Sequence, residues 1–220
     1  MTVTTLKCVI LGAGGHQRVI YEMIHLMRRY EVLGVVDAAY EVGRLINDVP
    51  VLGNDDALSM IFDQGVRYAV IGVGQTKQSL IRQQLYEKCV RIGFELLRVI
   101  HPSAILSDTV SLGRGIQLMA GVILNPHTNL GENVVVNTGS SIDHDCCVGS
   151  HSFIGPGVTI SGGVKIGNGV FIGAGTTIIQ GVEIGDGAVI GAGSTVLSSI
   201  RAGALAVGTP CKELEKECRE

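Results

Sequence analysis

Written in sixes, residues 105–200 read ILSDTV SLGRGI QLMAGV ILNPHT NLGENV VVNTGS SIDHDC CVGSHS FIGPGV TISGGV KIGNGV FIGAGT TIIQGV EIGDGA VIGAGS TVLSSI. The second place of every block is Leu, Val or Ile, from Leu106 to Val196, sixteen times without a break. Half of the third places are Gly: 113, 131, 149, 155, 167, 173, 185 and 191. The sixth place is mostly small or β-branched. A period of six with one obligatory aliphatic predicts a parallel β-helix, in which each block gives one short strand and one turn. Three blocks close a triangular coil of eighteen residues. The aliphatics should point inward and stack on those one coil away, with Gly where the backbone turns and a Cβ would clash. A little over five coils at ~4.8 Å make a prism roughly 25 Å tall.

Upstream the chain obeys other rules. Residues 1–104 hold 10 of the 31 glycines and residues 105–220 hold 21. Lys7-Cys-Val-Ile-Leu-Gly12 is a compact apolar run, followed by helix periodicity with Val19, Ile20, Met23, Ile24 and Met27 on one face. A second strand, Val32-Leu-Gly-Val-Val-Asp37, ends in an acid, and a third runs from Tyr68 to Gly74 before a helix from about Thr76 to Gly93. Such alternation predicts a small parallel sheet covered by helices. The expected architecture is therefore α/β followed by all-β: a Rossmann-like domain over 1–103, a β-helix over 104–212, and a charged tail, 213–220, that is a candidate short helix.

Composition narrows the function classes. Apolar residues make up 46% and charged ones 17%, with a net charge of −3, which excludes a disordered chain and a basic nucleic-acid binder. Gly is about twice its usual ~7%, yet without a three-residue period or abundant Pro, so collagen is excluded. No apolar stretch approaches the ~18 residues of a membrane span, and the N-terminus runs straight into a strand rather than a targeting signal. Cysteines 8, 89, 146, 147, 211 and 218 form no CxxC pair, so they are expected as reduced thiols of a cytoplasmic protein.

Two segments carry chemistry. Gly12-Ala-Gly-Gly-His16 after a strand suggests an anion cradle, since N–H groups at a helix start attract phosphates. It is an incomplete dinucleotide fingerprint, because the third Gly would fall at Gln17. Asp37 stands 25 residues after Gly12, where an acid could meet a ribose or base. By motif alone a turn without a ligand remains the simpler reading. His144 occupies the fourth place of its block, at a prism corner between Asp143 and Asp145. An imidazole supported by a carboxylate can take a proton near neutral pH. His127 and His151 raise the question of a metal, but three His ligands in a suitable spacing are missing, so none is expected.

Taken together, the Gly-x-Gly-Gly-His turn, the linker Ile100-His-Pro-Ser-Ala104, the block Ile142-Asp-His-Asp-Cys146 and the ending Val207-Gly-Thr-Pro-Cys-Lys212 resemble the bacterial sugar-nucleotide N-acetyltransferases that modify 4-amino sugars. The sialic acid O-acetyltransferases are close relatives. The resemblance covers nearly the whole chain and implies a left-handed β-helix, a homotrimer, and acetyl-CoA as co-substrate. It implies His144 as general base, oriented by Asp145, and a nucleotide-linked amino sugar held by Gly14, Gly15, His16, Asp37 and Gly74. Acetyl-CoA should lie along a seam between prisms, near Phe153, Gly162, Ala174 and Ala192, with Lys212 toward a CoA phosphate. Many relatives carry His where Phe153 stands, and Phe cannot donate a hydrogen bond. Two rival readings are O-acetylation of a sugar hydroxyl and a non-catalytic trimeric scaffold.

Overall fold

Each block from Ile105 onward contributes a two-residue strand at its first and second places, and each strand pairs with the one eighteen residues away. Ser141–Ile142 lies parallel between Ile123–Leu124 and Thr159–Ile160. Cys147–Val148 and Phe153–Ile154 lie in the other two faces in the same register. Three parallel sheets result, and the last coil is closed by an antiparallel return, Lys212–Glu213 on Leu205–Val207. This is the parallel β-helix that the six-residue period demands. The charged tail starts differently from expectation, because Glu213 belongs to the closing strand. The candidate helix beyond it, over 215–220, lies outside the described residues.

The computed structural model describes residues 5–75 and 80–214. Second-place side chains such as Leu118, Leu124, Ile142, Ile154 and Ile160 are buried, while Leu106 and Leu112 in the first coil are half-buried. The sixth place is also inward: Ile116, Val122, Thr128, Val134, Ser140, Cys146 and Ser152 are buried too. Where that place is polar its hydroxyl is satisfied, as with Ser140 Oγ donating to the Gly155 carbonyl at 2.8 Å. A Cβ at Gly149 would lie 2.5 Å from the Gly167 carbonyl carbon in the next coil, so coil spacing forbids a side chain there. From Gly115 to Gly193 the fifth place turns left-handed, and where it is not Gly there it is Asn133, Asp145, His127 or His151.

The chain divides into two compact units at Pro102 and Ser103. The first contains β1 (Leu6–Leu11), α1 (Gly15–Met27), β2 (Tyr30–Val36), β3 (Leu45–Ile46), β4 (Val49–Gly53), α2 (Ala57–Asp63), β5 (Tyr68–Ile71), α3 (Ile81–Ile92) and β6 (Glu95–Leu96). Its sheet runs β3-β4-β2-β1-β5-β6, parallel except for the β3–β4 hairpin. Val9, Leu11, Val36, Leu58, Ile61, Ile71, Leu85 and Leu96 build its core. The α1 face differs from expectation: Val19 is exposed, and Gln17 is buried with Ile20, Met23 and Ile24. Gln17 Oε1 accepts a hydrogen bond from Asn47 Nδ2 at 2.8 Å. The third helix begins at Ile81; the expected start near Thr76 falls in 76–79, outside the described residues. Among the described residues no helix is long and apolar enough to cross a membrane.

Candidate active site

The corner that carries Asp143, His144 and Asp145 is assembled by the repeat itself. Asn125, one coil earlier in the same third place, donates from Nδ2 to Asp143 Oδ1 at 3.0 Å. That oxygen also accepts the His144 backbone N–H at 2.8 Å, and Thr128 Oγ1 donates to the Asp143 carbonyl at 3.0 Å. Asp145 takes the left-handed conformation, φ +59°, which Asp tolerates better than most residues. This turn brings its carboxylate back alongside the imidazole. His144 Nδ1 stands 2.8 Å from Asp145 Oδ2. A carboxylate only accepts, so Nδ1 carries the proton and Nε2 keeps its lone pair.

The Asp145 hydrogen bond raises the His144 pKa above its ordinary 6.5; slight desolvation opposes this, and the charges of Asp143 and Asp145 add to the rise. The side chain is 53% exposed, open to a substrate. Above it stands Gly162, where a Cβ would lie 2.7 Å from both Cε1 and Nε2. Glycine there is what lets the ring lie against the next coil. Cys146 Sγ donates inward to the Ser161 carbonyl at 3.2 Å, and burial pushes its pKa up, so this thiol is structural.

In the first unit, Gly14 caps α1 and Gly15 opens it. Neither has a left-handed φ, and a Cβ on either meets no atom within 4 Å. Gly12 differs: its φ is +103°, and a Cβ would strike Val73 Cγ2 at 2.6 Å. Asp37 Oδ2 accepts the Ala13 N–H at 2.8 Å and Oδ1 the Ala39 N–H at 2.9 Å. The acid therefore fastens the turn, with further acceptor capacity remaining on both oxygens. Gly74 packs on His16, a Cβ there lying 3.1 Å from the His16 Cβ. Gly14, Gly15, His16, Asp37 and Gly74 thus gather at the carboxyl ends of β1, β2 and β5, the crevice where open parallel sheets take ligands.

The remaining expected positions are more dispersed. Ala174 and Ala192 stand on a different corner from His144 and Gly162, one strand away around the coil. Phe153 is only 5% exposed and stacks on Phe171, centroids 5.7 Å apart. Lys212 is exposed on the closing strand. His127 donates its backbone N–H to Thr109 Oγ1 at 2.9 Å, and His151 Nδ1 lies 3.1 Å from Asn133 Nδ2. Among the described residues no three His, Cys, Asp or Glu are grouped to hold a metal ion. Asn125 and Thr128 were not among the expected site residues. The signal for Asn125 is its eighteen-residue step to Asp143.

Residues 7–89 match the family described as PglD N-terminal domain, and residues 127–162 and 163–198 each match the bacterial transferase hexapeptide, six repeats. No curated protein sequence matches. Among solved structures the chain is similar to a variant of perosamine N-acetyltransferase from Caulobacter crescentus in complex with CoA and GDP-perosamine. Identity is 36%, coverage 98% of this chain and 100% of that one, and the TM-score 0.91. The acetyltransferase domain of PglB from Neisseria gonorrhoeae, in complex with acetyl coenzyme A, is 31% identical over 96% and 100%, TM-score 0.87. WeeI from Acinetobacter baumannii is 25% identical over 96% and 100%, TM-score 0.78.

Proposed function

The chain belongs to the bacterial sugar-nucleotide N-acetyltransferases built as left-handed hexapeptide β-helices with a PglD-type N-terminal domain, and from that premise we propose that it transfers acetyl from acetyl-CoA to the amino group of a nucleotide-linked amino sugar. The observation that carries this is the His144–Asp145 pair, with Nδ1 committed to the carboxylate and Nε2 left basic on a half-exposed side chain. The neutral amine attacks the thioester carbonyl carbon, and the C–N bond forms as Nε2 takes the ammonium proton of the tetrahedral adduct. The adduct then expels the CoA thiolate, which receives that proton, leaving an amide and a free thiol. Asp145 stabilises the imidazolium between these steps.

The crevice of Gly14, Gly15, His16, Asp37 and Gly74 supports binding of the nucleotide diphosphate. Gly14 and Gly15, where no atom of the chain lies within reach of a Cβ, leave room for a ligand to approach the backbone closely. Acetyl-CoA would run along Gly162, Ala174, Ala192 and the wall at Phe153, with Lys212 at its phosphate end. Because His144 and Ala174 occupy different corners, this path calls for a second copy, and the working unit is a homotrimer in the cytoplasm. Exposed Ile179 and Leu197, two and three coils above Asp143 on the same corner, are apolar surface of the kind a neighbour covers.

Two measurements test the proposal. Offered acetyl-CoA with a panel of GDP-, UDP- and dTDP-linked 4-amino sugars, the protein should release CoA thiol and acetylate nitrogen. Acetylation of a hydroxyl alone would favour the O-acetyl reading, and no turnover would leave a scaffold. The solution mass should be near three times 23.1 kDa, and a monomer that turns over would contradict the shared seam.

A further inference from the structure

The β5–α3 turn of the first unit holds a charged group that the proposed chemistry does not use. Arg82, in the first turn of α3, is 4% exposed. Its Nη1 donates to the carbonyl of Ile71, the last residue of β5, at 3.4 Å, and to that of Val73. Desolvation lowers its pKa to about 9, which still leaves a cation at neutral pH.

The segment so held is Ile71–Gly74, one wall of the crevice. It interlocks with the turn after β1: the Gly72 N–H donates to the Leu11 carbonyl at 2.7 Å, and Gly12 faces Val73 with no space for a Cβ. The Ile71 carbonyl lies on the side of β5 where Ala69 accepts the Leu97 N–H, away from β1, and the shared Arg82 nitrogen holds the Val73 carbonyl on that same side. Both carbonyls are drawn to a buried guanidinium, which also sets a positive charge behind the crevice wall in a medium that screens it poorly.

We propose that Arg82 is a positioning residue for the nucleotide diphosphate: it pins Ile71–Gly74 through the Ile71 and Val73 carbonyls, seats Gly74 against His16, and makes the crevice favourable to anions. This rests on the reading of the Gly14–Gly15 turn as the nucleotide site. A role in fold stability alone would affect both substrates alike, whereas positioning acts on one.

The test uses the full-length protein with GDP, UDP and dTDP as probes in titration calorimetry, alongside acetyl-CoA. Arg82→Met should weaken the best-bound diphosphate by roughly 10- to 100-fold, the scale of lost charge-assisted hydrogen bonds. It should raise KM for the sugar nucleotide equally, with acetyl-CoA affinity and kcat at saturation near wild type. Arg82→Lys, which keeps the charge on a differently shaped head group, should recover part of the loss. Diphosphate binding unchanged in both variants would overturn the role of Arg82 while leaving the nucleotide site in place. A parallel fall in acetyl-CoA affinity would mark Arg82 as structural and overturn it as well. Should Arg82→Met not fold, Arg82→Lys decides by the same ratio of the two affinities. Failure of the unaltered protein to bind any of the three diphosphates would overturn the nucleotide site itself.

Discussion

The His144 corner and the Gly14–Gly15 turn use glycine for opposite reasons. In the prism each glycine answers to the chain's own atoms: Gly149 to the backbone of the next coil, Gly163 to a left-handed turn, Gly162 to the imidazole. Around Gly14 and Gly15 no atom of the chain lies within reach of a Cβ. A glycine that the fold explains speaks of geometry, and a glycine that the fold leaves unexplained speaks of a visitor. The corner should therefore govern the chemical step and the turn should govern binding.

The largest expected effect is at the proposed base. His144→Ala should lower kcat by roughly 10²–10⁴ while leaving both KM values nearly unchanged, as steady-state kinetics with each substrate varied would show. Gly162→Ala should come next, because its Cβ must displace a ring atom 2.7 Å away. A misplacement of about 1 Å costs on the order of 10² in kcat, and folding should be intact by circular dichroism.

Asp145→Asn sharpens the electrostatic half of the corner. As the proposed base, His144 can take a proton only when neutral, and its pKa lies above 6.5 because of Asp145 first. Activity should thus be full above that raised pKa and fall as pH drops through it. Removing the carboxylate should move the acid limb of the kcat profile to lower pH and cost less than His144→Ala. An unmoved limb would detach the limb from His144.

The smallest effects contrast the two kinds of glycine by thermal melting. Gly149→Ala forces a Cβ into backbone 2.5 Å away, and overpacking of this kind costs about 1–3 kcal/mol, so Tm should fall. Gly15→Ala enters open space on a helix start and should leave Tm unchanged or raise it, the usual gain being about 0.4–1 kcal/mol. Its KM for the sugar nucleotide should nevertheless rise.

Much of this division was legible in the chain. The second-place aliphatics predict the prism, and an eighteen-residue step leads from His144 to Gly162, which stands above it. The inward sixth place was missed because Ser140, Ser152 and Cys146 read as polar, and only their bonds to carbonyls in the coil above make them core residues. The hairpin β3–β4 and the short helix α2 were missed because Val42, Leu45 and Met60 are exposed, which breaks the periodicity. Asp37 was placed correctly at the end of β2, but its bond to the Ala13 N–H depends on two strands lying side by side. Gln17 shows the same limit: its partner Asn47 comes from a hairpin that the pattern did not reveal.

The most direct test of the division is a crossed measurement on two variants, Gly15→Val in the turn and His144→Ala at the corner. For each, nucleoside diphosphate affinity is measured by calorimetry and kcat by thiol release at saturating substrates at pH 8. Gly15→Val should weaken the diphosphate and leave kcat at saturation close to wild type, while His144→Ala should do the reverse. A His144→Ala enzyme with near-full kcat at pH 8, or a Gly15→Val enzyme that binds diphosphate as tightly as wild type, would contradict it.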